Sequence, residues 1–238
     1  MIPNMDPPWR ILPQGDRTLV LVLDQPLSMH TGQQCGAVAH ALRAAALHGV
    51  TDIVPSFNTV AVHTQPRLFG PATRYRNVAA DIVRIVQAVS SQALTPPARC
   101  VEIPVCYGGR HGPDLEDIAR QCGLATDALI RLHSDAPAYV FMLGFTPGTP
   151  YIGLHDPLLD IARRATPRTQ LPAGSVAIAN RQTVIYPNIS PGGWHILGAT
   201  PLPLFQPAHE PHTLLAPGDM VRFIPITDDE FVALQRES

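Results

Sequence analysis

The 238-residue sequence contains no lysine; all 17 of its basic residues are arginine. That absence excludes a P-loop lysine, a Schiff-base lysine, a biotin-acceptor lysine and a lysine general base. Holding carboxylate or phosphate through a charged fork therefore falls to arginine, which can donate two parallel hydrogen bonds. Cysteine is scarce too. Cys35, Cys100, Cys106 and Cys122 form no CxxC pair and match no common zinc spacing. They read as reduced, partly buried thiols of a cytoplasmic protein, with no metal site expected. Long apolar runs are missing: the longest are strand-sized, short of the ~20 residues that span a bilayer. Met1 to Arg10 carries three prolines and no apolar stretch, so it reads as neither signal nor anchor. With a net charge of −2 there is no electrostatic case for nucleic acid or an anionic membrane.

What is present is a globular composition, 45% hydrophobic and 15% charged, with ample material for a core. The first hundred residues alternate strands and helices. Strands are expected at Thr18–Leu23, Asp52–Ser56 and Asn58–His63, and a helix over Gln33–His48 ended by Gly49. Val78, Ile82, Ile85, Val86 and Val89 then mark an amphipathic helix. With a further strand near Arg99–Val105, the order is that of a split βαβ two-layer domain. Thr95-Pro96-Pro97 reads as a linker. Two short helices follow, Asp114–Gln121 and Thr126–His133. Their spacing imitates a helix-turn-helix, but Arg131 is the second helix's one cation, so a structural role is the better reading. Beyond residue 135, short β-like runs separated by glycine and proline indicate a barrel or sandwich: Ala138–Phe145, Ser175–Ala179, Gln182–Tyr186, His195–Gly198, Pro203–Phe205 and Met220–Ile224.

Four polar segments could carry chemistry. Tyr107 to Asp114 is a glycine turn running into a helix that Asp114 can cap. Gly144 to Gly153 is dense in glycine and proline but is no Walker loop. Arg163, Arg164 and Arg168 lie within six residues, a solvated loop by default and an anion site otherwise. In the fourth segment Gln182 and Thr183 could contact an amide, Trp194 could wall a pocket, and His195 has a general acid–base reading. His209 and His212 flank Glu210-Pro211, which opposes a zinc-protease helix.

Together these segments resemble a known family. The order Tyr-Gly-Gly-x-x-Gly-Pro-Asp-Leu (107–115), Gly-Phe-x-Pro-Gly-x-Pro-Tyr (144–151), Arg-Arg-Ala-Thr-Pro-Arg (163–168), Pro-Ala-Gly-Ser-Val (172–176), Gln-Thr (182–183), Ile-Tyr-Pro (185–187) and Ser-Pro-Gly-Gly-Trp (190–194) is similar to the family of the 5-oxoprolinase B subunits, also called allophanate hydrolase subunit one or KipI. The resemblance implies an α+β chain: a ferredoxin-like two-layer domain (9–95) followed by a cyclophilin-like β-barrel domain with two short helices (98–227). It implies cleavage of the 5-oxoproline lactam to glutamate, coupled to hydrolysis of ATP with Mg, alongside the enzyme's C-type partner chain and a third hydrolase component. On it, Arg164, Arg168 and His195 are the expected catalytic residues. Gly144, Pro147, Gly148, Tyr151, Gln182, Thr183, Tyr186, Gly192, Gly193 and Trp194 are expected to shape the substrate or nucleotide pocket, in the barrel mouth or against the partner. The alternatives are an inhibitor of a sensor histidine kinase, or one chain of an allophanate- or urea-related amide hydrolase or carboxyltransferase. The chain departs from the family pattern at Arg110, His111, Thr149, Leu154, Asn180, Arg181 and Val184.

Overall fold

The computed structural model describes residues 9–65, 67, 74–90 and 99–237. The chain divides into two compact units, Met1–Pro97 and Ala98–Ser238. The expected linker at Thr95-Pro96-Pro97 lies outside the described residues.

The first unit is a four-stranded antiparallel sheet with two helices: β1 (Trp9–Gln14), β2 (Thr18–Leu23), α1 (Met29–Ala44), β3 (Val50–Pro55), β4 (Thr59–Thr64) and α2 (Arg74–Ser90). The sheet order is β1-β2-β4-β3. Alternation along β2 and β4 turns Leu19, Leu21, Leu23, Val60 and Val62 to one face. There they meet Cys35, Val38, Ala39 and Leu42 of α1 and Val78, Ile82, Ile85 and Val86 of α2. Ser28 caps α1, its hydroxyl accepting from the Thr31 N–H. The helix ends at Ala44, short of the expected stop. Gly49, with φ +74°, serves the turn into β3 instead.

One expectation needs correcting. The strand near Arg99–Val105 does not complete this sheet. The edge beside β2 is taken by β1, antiparallel from Trp9↔Leu23 to Gln14↔Thr18. A local hairpin costs less loop-closure entropy than a strand returning from residue 100.

The second unit is built on β5 (Cys100–Tyr107), β6 (Ala138–Leu143), β7 (Pro150–Gly153), β9 (Ser175–Ala179), β10 (Gln182–Ile185), β12 (His195–Ala199) and β13 (Met220–Pro225). These strands close into a barrel in the order β10-β7-β6-β13-β5-β12-β9. Neighbours are antiparallel except β5 and β13, which pair in parallel from Met220↔Cys100 to Pro225↔Val105. Ile103, Val105, Val140, Ile152, Val176, Ile185, Val221 and Phe223 fill the interior, with Leu204 and Leu215 from the 200–219 excursion. Pro203–Phe205 is not a strand; only a single bridge, Phe205↔Thr213, forms there. Helices α3 (Leu115–Gln121) and α4 (Thr126–Ser134) pack through Leu115, Ile118, Ala119 and Leu129 onto Ile178 and Leu197. A two-stranded arm of β8 (Arg168–Leu171) and β11 (Ser190–Gly192) lies outside the barrel. The unit ends in α5 (Asp228–Glu237), an element absent from the sequence-based expectation. Among the described residues no helix is long and apolar enough to cross a membrane.

Candidate functional site

Within the arginine run Arg163 is exposed, while Arg164 and Arg168 turn back onto a buried carboxylate. Beyond β5, Gly112 is pressed against the Leu197 carbonyl, where no Cβ fits. This brings Asp114 alongside β12, its N–H donating to the Ile196 carbonyl (3.1 Å). Asp114 is 4% exposed. Its carboxylate accepts from Arg168 Nη1 (2.7 Å) and Nη2 (2.8 Å), from Arg164 Nη1 (3.0 Å) and from the Ile196 N–H (2.8 Å). Asp114 occupies the N-cap position of α3 but makes no side-chain cap bond. The expectation of a helix cap is thus corrected: two guanidiniums and a strand N–H are stronger claimants than one helix amide. Burial alone would raise the Asp114 carboxyl; hydrogen bonds from Arg168 and Ile196 and the charges of Arg168 and Arg164 outweigh it, so the pKa is lowered.

Backbone contacts fix both arginines. The Arg164 N–H donates to the Gly193 carbonyl (2.7 Å), and Arg168 opens β8 opposite Gly192. Their side chains remain 31% and 27% exposed. Arg164 Nε is buried with no hydrogen-bond partner. Arg163 lies over the Trp194 ring, 5.3 Å from its centroid. Three guanidiniums against one carboxylate leave this face strongly positive and able to accept an anion.

An aromatic wall adjoins it. Tyr151 of β7 meets Trp194 edge-on, centroids 6.0 Å apart. Tyr186 is buried beneath Gly192, whose missing Cβ makes room for the phenol hydroxyl. Burial first, then neighbouring Tyr151, pushes that phenol's pKa up. Leu171, Ala177, Val184 and Ile196 form the floor. His195 lies 3.0 Å from the Ala162 carbonyl through Nε2, which must therefore carry the proton and donate; Nδ1 is left as the ring's acceptor.

The expected site residues thus separate into groups. Arg164, Arg168, Tyr151, Tyr186, Gly192, Gly193, Trp194 and His195 gather where the β8–β11 arm, which includes Arg168 and Gly192, meets the outer face of the barrel. Gly144, Pro147 and Gly148 belong to the β6–β7 loop. Gly144 approaches the Tyr151 ring, and Gly148 packs on Leu204 and Phe205. Gln182 sits at the far end of β7, opposite Gly153. The β9–β10 turn holds Asn180 (φ +49°) and Arg181 (φ +61°), both in the backbone region that favours glycine.

Thr183 faces inward. It is fully buried, and its hydroxyl lies 2.8 Å from both His133 Nε2 and His155 Nε2. The Tyr107 hydroxyl lies 2.7 Å from His133 Nδ1. The expected contact of Thr183 with a substrate amide is therefore replaced by an internal network. Burial first, and then His155 beside His133 and Arg181 beside His155, lowers both histidines' pKa, His155 to about 4. Thr183 has one proton to donate, so one histidine accepts it while the other donates. Sequence reasoning missed this network and the role of Asp114. The sequence carried little signal for the latter: Asp156 and Asp160 lie close to the arginine run, yet Arg164 pairs with a carboxylate 50 positions earlier.

The family profile described as carboxyltransferase domain, subdomain C and D, matches residues 9–215. An Escherichia coli protein named as the B subunit of 5-oxoprolinase is 39% identical over 213 residues, covering 89% of this chain and 93% of its own. A Bacillus subtilis protein of the same name is 33% identical over 237 residues, with 97% and 98% covered. This chain also spans 40% of a longer crystallised chain, at 34% identity and a TM-score of 0.73 over 88% of its own length. The K. lactis urea amidolyase shares the fold at 16% identity and a TM-score of 0.74, matching 99% of this chain but 17% of that one.

Proposed function

Since the chain belongs to the carboxyltransferase subdomain C and D family, we propose that it is the B subunit of a 5-oxoprolinase. In this reading it acts with a C-type partner chain and a third hydrolase component to open the 5-oxoproline lactam to glutamate at the expense of ATP. The observation that carries the proposal is the outer face where Arg164 and Arg168, fixed by buried Asp114, stand beside Tyr151 and Trp194.

An unstrained lactam is a poor electrophile. Transferring the γ-phosphoryl group of ATP to the amide oxygen makes the ring carbon electrophilic; water adds there, the C–N bond breaks as the nitrogen takes up a proton, and the resulting acyl phosphate is hydrolysed to glutamate and phosphate. Such a step depends on cations held in place before charge develops. Pairing with Asp114 fixes Arg164 and Arg168, while the exposed edges of their guanidiniums remain for a phosphoryl or carboxylate oxygen. Tyr151 and Trp194 offer apolar edges to the five-membered ring. Asp114 does not suit Mg²⁺: all its acceptor capacity is committed to arginine and to Ile196. Magnesium in this reading travels with the nucleotide and takes its protein ligands elsewhere. Four free cysteines accord with a cytoplasmic setting.

The test is ATP-dependent glutamate release from 5-oxoproline by this chain co-expressed with its candidate partners, each omitted in turn. Turnover should vanish without this chain. Arg168→Ala should lower nucleotide or substrate affinity while the complex still assembles. Unchanged affinity for both would remove the arginine face from the mechanism. Absence of turnover from a well-formed complex would count against the 5-oxoproline substrate.

A further inference from the structure

A second cluster lies where α5 packs on β5. Cys106 at the end of β5, His111 in the turn after it and Asp228 at the start of α5 bring one ligand atom each within 4.8 Å of one another. Phe231, Ala199 and Ile226 form an apolar floor, and the His111 ring lies 4.2 Å from the Phe231 ring. The cation at this cluster is Arg110, whose Nη2 reaches Asp228 Oδ1 and Oδ2 at 2.8 and 2.9 Å from a side chain 66% exposed. His111 Nε2 is in conflict there. It lies 3.2 Å from Arg110 Nε, a donor, and 2.9 Å from Asp228 Oδ1, an acceptor. One nitrogen cannot accept from the first and donate to the second in the same protonation state. A cation accepting electron pairs from His111, Asp228 and Cys106 removes the conflict.

We infer that Cys106, His111 and Asp228 form a site for a borderline-soft divalent cation of the Zn²⁺ class, with Arg110 as its displaceable occupant. Thiolate, imidazole and carboxylate are the ligands zinc favours, and three of them leave a fourth position for water or a further group. Tetrahedral Zn²⁺ separates its ligand atoms by about 3.5 Å, so the cluster closes by roughly an ångström through side-chain rotation. Thiolate and carboxylate together balance the metal charge, and Arg110 is exposed enough to swing away. Binding displaces the Cys106 proton to solvent, so affinity rises with pH. The bound ion ties the first turn of α5 to β5.

The probe is Co²⁺ added to the full chain, followed by the thiolate-to-cobalt absorption in the near ultraviolet and then displaced with Zn²⁺. The wild-type chain should show the band, and Cys106→Ser should lose it while Cys35, Cys100 and Cys122 remain. Arg110→Gln should tighten binding by up to about fivefold, the worth of an exposed ion pair. Asp228→Asn, an exposed change that spares the core, should weaken it by about tenfold or more. A band that never appears, or that survives in Cys106→Ser or is indifferent to Asp228→Asn, overturns the proposal.

Discussion

Asp114 shows how one buried carboxylate decides the character of a neighbouring surface. Without it, Arg164 and Arg168 would repel each other; with it, they are aligned and still cationic. Asp114→Asn should therefore destabilise the chain by about 1–3 kcal/mol, since it removes the counter-charge of two guanidiniums that water only partly screens. Urea unfolding at neutral pH measures this. The Asp114 pKa is lower folded than unfolded, so its contribution is fully present above the unfolded value near 4. It disappears as pH falls through the folded value. Gly192→Ala acts at the same scale by a different route: its Cβ would strike the Tyr186 hydroxyl and the Leu171 side chain. Displacing Tyr186 from beneath the arm should reduce activity of the assembled enzyme more than it lowers melting temperature. Equal loss in both would assign Gly192 to packing alone.

Between strands and helices, the Tyr107–His133–Thr183–His155 network joins α4 to β5, β10 and the segment after β7. Thr183→Val keeps the shape but strands imidazole nitrogens in the interior, at about 1–3 kcal/mol. Both histidines are held neutral, so the unfolded chain takes up protons before the folded one does. Stability from this network is intact above about 6.5 and is lost from there down to about 4, the folded value for His155. Wild type should lose stability across that window in a pH series of denaturant melts. A flat profile between pH 7 and 5 would contradict the assignment. Most elements were legible from local pattern: α2 from Val78, Ile82, Ile85, Val86 and Val89, the β9–β10 pair from alternation and a turn. Others depended on distance. Residues 99–105 look like a strand whichever sheet receives them, and their parallel partner lies some 120 positions later at Met220–Pro225. Trp9–Gln14 is hard to read as a strand because Pro13 argues against one, although an edge accommodates it. α5 did carry a signal. Thr227 and Glu230 form a reciprocal cap, the Glu230 N–H reaching Thr227 Oγ1 (3.3 Å) and the Thr227 N–H reaching Glu230 Oε2 (2.7 Å). The site was half legible for the same reason: segment composition pointed to Arg164, Arg168 and Trp194, but whether Thr183 faced in or out depended on register.

Across the whole molecule, each unit has its own apolar core: Leu21, Leu42 and Ile82 in one, Ile103, Ile152 and Phe223 in the other. A polypeptide of residues 98–238 should therefore fold by itself, with a single cooperative urea transition and dispersed amide resonances. A broad transition with collapsed resonances would mean that the barrel depends on residues 1–97. The parallel pairing of β5 with β13 also sets a timetable for synthesis. The barrel's first strand has to wait for its last, so as the nascent chain leaves the ribosome β5 and β6 are both raw edges until Met220–Pro225 emerges. Chaperone engagement should be greatest in that interval, and a chain halted at Gly218 should aggregate where the full-length chain does not.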